Sequence, residues 1–245
     1  MNASPITSLN TSTFQHLIDD LKASHGDNLS GVVLYGSTAT GDRVKGHSDY
    51  NLLIALNRIT PDDLRSAQAP VREWQRQGNA LPTYFTVEEL RDGADVFPIE
   101  FNQMARARII LYGADPFAGL NISNANLRHQ TEYELRSKLI QLRRLYISSG
   151  SSDEKLTALL RDSISSFAAL AAPVLILLGR EPPTSKRDLL MTLAQRLEMR
   201  PNIFERILDL RENHSIKLST DDAHDLFASY IEQIEKIISA INGLS

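Results

Sequence analysis

Residues 31–56, GVVLYGSTATGDRVKGHSDYNLLIAL, constrain the fold of this chain more than any other stretch. An apolar run from Val32 to Tyr35 stops at Gly36-Ser37, eleven residues follow, and Asp49-Tyr50-Asn51 then opens a second apolar run from Leu52 to Leu56. Short apolar runs punctuated by glycine and polar residues read as two strands joined by a polar loop. Alternate side chains of a strand share a face, so Asp49 and Asn51 are expected to project together towards whatever the loop after Gly36 surrounds. A carboxylate and an amide would then stand side by side next to a glycine that lets the backbone approach a ligand closely.

The flanking sequence supplies the rest of a domain. Upstream, Ser12 and Gln15 have the spacing of a capping box, and Phe14, Leu17, Ile18 and Leu21 recur at helical period. Downstream, Thr60-Pro61-Asp62-Asp63 announces a helix running towards Trp74, with Pro70 as a candidate break. Leu81 to Phe85 reads as a strand, Thr86 with Glu89 as a second capping box for a short helix ending near Gly93, and Val96 to Phe101 as a further strand. Ile109 to Gly113 is expected as the last strand, and the polar residues 119–126 as a linker.

Beyond the linker only helical patterns recur. Leu135, Leu139, Leu142 and Tyr146 mark one helix, and a second begins near Asp153 and leads into the apolar stretch Phe167 to Leu178, kinked at Pro173. Ser185, Pro201 and Thr220 open three more. The expected architecture is α+β: a mixed sheet with flanking helices over residues 1–118, a linker over 119–126, and an all-α antiparallel bundle over 127–245.

Two domains suit a chain of 245 residues. A formal charge of −4 argues against general nucleic-acid binding, which asks for a basic face. With no cysteine, thiolate metal sites and disulfides are excluded. The first ten residues lack a basic segment followed by an apolar core, and Phe167 to Leu178 is too short to span a bilayer, so a cytoplasmic protein without membrane partners is expected.

The arrangement Gly36-Ser37, spacer, Asp49-x-Asn51 resembles the nucleotidyltransferase superfamily of the DNA polymerase beta type, whose signature is Gly-Ser, a spacer of this length and Asp-x-Asp. The resemblance implies a nucleotidyltransferase-type sheet followed by a helical bundle. It also implies a nucleoside triphosphate substrate with Mg²⁺ or Mn²⁺ and transfer of a nucleoside monophosphate to a hydroxyl acceptor, a small molecule or a protein. Hard divalent cations take oxygen ligands and neutralise charge at a transferring phosphoryl group, which is why the family clusters carboxylates there. Carried over by position, Asp49, Asn51 and Glu100 would form the catalytic and metal site, with Asp95 in reserve for Glu100. Gly36 and Ser37, with Arg43 and Lys45 from the loop, would hold phosphate.

Asn51 stands where the family has its second aspartate. An amide oxygen ligates metal without charge, so three readings stay open: a nucleotidyltransferase that tolerates the change and still turns over, a deliberate near-isosteric change that traps a substrate complex, or a catalytically silent nucleotide-binding or protein-interaction regulator that keeps the fold. Arg43 and Lys45 read equally well as exposed loop charges, and so does His47 as a solvated histidine. No general base for the acceptor hydroxyl is identifiable, though Glu132 or Glu134 at the start of the helical domain lies in a plausible place for one. The ribonuclease branch of such helical domains is disfavoured, because Arg211 and His214 are too close in sequence to match its arginine–histidine spacing.

Overall fold

The computed structural model describes residues 11–40, 50–149 and 152–244. The chain divides into two compact units, Met1–Ser123 and Asn124–Ser245.

The first unit opens with α1 (Thr11–His25), whose Phe14, Leu17, Ile18 and Leu21 are buried. Ser12 lies inside this helix, so it is not the cap expected of it. A short 3-10 turn, Gly26–Asn28, leads into β1 (Leu29–Tyr35), followed by the single turn α2 (Ser37–Thr40), β2 (Asn51–Leu56) and α3 (Pro61–Arg76). Thr60 and Asp63 form a capping box at the start of α3: the Thr60 hydroxyl accepts from Asp63 N at 3.2 Å, and the Asp63 carboxylate accepts from Thr60 N at 2.9 Å. The helix runs through Pro70 instead of breaking there. Pro70 is buried with Ala67, Val71 and Trp74 on one face, and that packing offsets the lost N–H. Then come β3 (Thr83–Thr86), α4 (Val87–Asp92) with its Thr86–Glu89 capping box, α5 (Pro98–Arg106) and β4 (Arg108–Gly113).

The four strands lie in the order β3-β2-β1-β4. β1 is antiparallel to both β2 and β4, whereas β3 is parallel to β2. Both faces of the central strands are buried, which explains their nearly unbroken apolar sequences. One face sends Val32, Leu34, Leu52, Ile54 and Leu56 against Phe14, Leu17, Leu21 and Trp74. The other sends Val33, Leu53 and Ala55 against Leu90, Phe101 and Phe117.

The segment expected as a strand over Val96–Phe101 is instead the start of α5, with Pro98 in its first turn. Proline there donates no N–H that a helix needs, and Phe101, Met104 and Ala105, at i, i+3 and i+4, meet the second core together. Glu100 therefore sits in the first turn of a helix, exposed, and not on a strand.

The second unit holds α6 (Asn124–Ser149), α7 (Asp153–Leu177), α8 (Lys186–Arg196), α9 (Pro201–Glu212) and α10 (Thr220–Asn242). α6 begins at Asn124, inside the stretch read as a linker. α7 packs against the other four and carries the longest buried face, from Leu156 to Leu175, with Pro173 within it. The apolar stretch judged too short for a bilayer is thus part of a 25-residue helix that is long and apolar enough by composition, half of its most apolar window being buried inside the protein. Ser152, Ser185 and Ser219 cap α7, α8 and α10; the last cap is Ser219, one residue before the expected Thr220. Buried Gln233 accepts from Arg200 N at 3.0 Å and ties the start of α9 to α10.

Candidate functional site

The end of the sheet beside Gly36 is set by register. Tyr35, the last residue of β1, pairs with Asn51 on β2 and with Arg108 on β4, so the three side chains form a row on one face. Tyr50 fixes which face. It is buried on the α1 side, edge-on to Phe14 at 4.9 Å between ring centroids, and this turns Asn51 to the opposite side. Tyr35 packs there against the second core.

Gly36 leaves β1 with φ +84°, a left-handed conformation that glycine adopts without strain. Its N–H donates to Ala107 O at 3.0 Å, and its carbonyl accepts from Ala39 N at 2.9 Å, closing the turn that starts α2. A Cβ at position 36 would lie 3.2 Å from Asn51 Nδ2. The turn and the amide are therefore neighbours, as the motif requires. Thr38, on the same turn, is buried, and its hydroxyl has no hydrogen-bond partner among the described residues.

Arg108 closes the row with a fixed charge. Its Nε donates to both Asp115 carboxylate oxygens at 3.1 and 3.2 Å, Nη2 donates to Asp115 Oδ2 at 2.6 Å, and Nη1 donates to Ala105 O. Asp115 also accepts from Phe117 N at 3.0 Å. Burial alone would raise the Asp115 pKa, but the hydrogen bonds from Arg108 and Phe117 and the guanidinium charge outweigh it and hold the carboxyl below its ordinary value.

Of the residues predicted for the site, the structure brings Gly36 and Asn51 together. Ser37 opens α2. Asp49, Arg43, Lys45 and His47 lie outside the described residues. Glu100 and Asp95 are exposed, off the sheet. No described strand carries an acidic residue, and no group of three His, Cys, Asp or Glu among the described residues is arranged to hold a metal ion. Mg²⁺ near phosphate depends on carboxylates; among the described residues β2 offers the neutral amide of Asn51, and the motif's carboxylate, Asp49, lies outside them. Tyr35, Thr38 and Arg108 went unnoticed in the sequence. The signal for Arg108 was an arginine and an aspartate bracketing the apolar strand Ile109–Gly113.

The sheet, the Gly36 turn and the helical unit after it define a fold, a four-stranded mixed sheet with flanking helices followed by a helical domain, that an adenyltransferase of known structure shares. The likeness that shows it is to the crystal structure of spectinomycin adenyltransferase AAD(9) from Enterococcus faecialis, determined with ATP and spectinomycin: it covers 94% of this chain and 100% of that one, with a TM-score of 0.53 and 14% sequence identity. No family model matches the sequence, and no curated protein does.

Proposed function

We propose that this protein binds a nucleoside triphosphate at the end of β1 and β2 and transfers its nucleoside monophosphate to a hydroxyl of a small-molecule or protein acceptor. The observation that carries the reading is the contact between Gly36 and Asn51: a backbone turn without a side chain, held in a left-handed conformation, faces the first polar residue of β2. Such a turn leaves room for phosphate oxygens to reach backbone N–H groups. A full-length likeness to an adenyltransferase crystallised with ATP supports it. In the transfer the acceptor oxygen bonds to the α-phosphorus, the α–β phosphoanhydride breaks and pyrophosphate leaves. On the family resemblance, Asp49 and Asn51 would hold Mg²⁺ or Mn²⁺, and Ser37 with Arg43 and Lys45 would contact phosphate.

A second reading, a silent regulator that keeps the fold, is favoured by the lack of any carboxylate on the described strands. Thermal shift with ATP, GTP, CTP and UTP, each with and without Mg²⁺ and Mn²⁺, tests binding, because only a ligand of the native state raises the melting temperature by mass action. Release of pyrophosphate with a panel of hydroxyl acceptors separates the two readings. Binding with turnover supports the transferase, binding without turnover the regulator, and no shift with any nucleotide removes both nucleotide-dependent forms.

A further inference from the structure

The free edge of β3 borders a surface that nucleotide binding leaves unused. β3 is the outer strand of the sheet, and among the described residues no strand pairs with its far side. An open edge offers backbone N–H and C=O groups to another chain. Beside it lies a groove of about 940 Å³, lined by Leu64, Tyr84, Phe85 and Phe97 together with Glu88 and Asp92. Single exposed apolar side chains are ordinary, but two large ones, Leu64 at 46% and Phe97 at 43% exposed, line this one groove.

Charge tells what the groove fits. Residues 87–100 hold five acids, Glu88, Glu89, Asp92, Asp95 and Glu100, against the single base Arg91, a net −4 that equals the formal charge of the entire chain. The rest of the sequence is balanced, and three of these five acids, Glu88, Glu89 and Asp92, line the groove. Arg58, the one base lining the groove, lies 3.8 Å from Asp63.

We propose that the open edge of β3 and its groove dock an extended basic segment of a partner protein. The segment would add a strand through backbone hydrogen bonds to β3, set alternate apolar side chains against Phe85 and Phe97 on one face, and turn its cations to Glu88 and Asp92. A second copy of this chain is the poorer occupant, because it would bring the same acidic rim against itself.

The test uses the full chain and two short synthetic peptides, one alternating valine and lysine, the other valine and glutamate, followed by amide NMR and hydrogen exchange. The lysine peptide is expected to bind saturably, to shift the Thr83–Thr86 amides and to slow their exchange, while the glutamate peptide does not bind. Reversing two exposed rim charges, Glu88→Lys with Asp92→Lys, should weaken the lysine peptide at least about tenfold, or about 1.4 kcal/mol, and leave the circular dichroism unchanged. Phe97→Ser should weaken it while keeping the response to salt. Failure of the lysine peptide to saturate, equal binding of the glutamate peptide, unperturbed β3 amides, or self-association of the protein through this edge would each overturn the proposal.

Discussion

Asn51 occupies the one position at which a change of a single atom group would alter the charge of the site without altering its shape. Asn51→Asp is expected to keep the fold and to make nucleotide affinity depend on divalent metal, by tenfold or more on adding Mg²⁺; calorimetric titration of both forms with ATP, with and without the ion, measures this. Gly36 is constrained by its backbone. Gly36→Ala places a Cβ at φ +84° and 3.2 Å from Asn51 Nδ2, so it should cost about 1–2 kcal/mol of stability and lower nucleotide affinity, both readable from denaturant and ligand titrations. His25 sets a different sensitivity. It is buried, edge-on to Tyr84, and among the described residues neither of its ring nitrogens has a hydrogen-bond partner, nor does the Tyr84 hydroxyl. Burial lowers the His25 pKa, and the nearby Asp63 charge offsets this only in part. The unfolded chain therefore takes up the proton first: the stability due to neutral His25 is present above its unfolded pKa of about 6.5 and is lost as pH falls through that value towards the folded one. Unfolding followed from pH 7.5 to 5 should show this acid loss in the native chain and a smaller one in His25→Phe.

At the scale of elements, the capping boxes explain what could be seen in advance and what could not. Thr60 with Asp63 and Thr86 with Glu89 are local signals, since each cap needs only residues three apart, and both helices start where those signals stand. Thr60→Ala should cost about 1 kcal/mol, measured by urea unfolding. Val96–Phe101 shows the opposite case. Its apolar run, broken by one acid, reads as a strand, but the decisive partners, Met104 and Ala105, lie beyond the stretch and reveal the helical period only when read with Phe101. The same misreading put Glu100 on the sheet. Phe101, fully buried among Phe85, Phe97 and Phe117, is what anchors α5, and Phe101→Ala should cost about 3–5 kcal/mol. Pro70 was equally opaque, because whether a proline breaks a helix depends on the burial of its face. Strand alternation put Asn51 and Asp49 on one face towards the loop after Gly36; the closeness of Asn51 to Gly36 rests on the β1–β2 register, and Asp49 lies outside the described residues. The Tyr35–Arg108 half of the row was not legible, since it rests on which strand lies next to β1.

The whole molecule joins a four-stranded α/β unit to a five-helix unit, each with its own core. Formal charge, even elsewhere, is concentrated on residues 87–100, and the fold likeness concerns architecture and not chemistry. What the account asks of the molecule is therefore binding at one defined place. The most direct measurement is amide NMR of the full chain titrated with ATP in the presence of Mg²⁺. Saturable shifts centred on Tyr35, Gly36, Thr38 and Asn51, lost in Gly36→Ala, are the predicted result; a titration that leaves those amides unmoved, or moves others in their place, contradicts it.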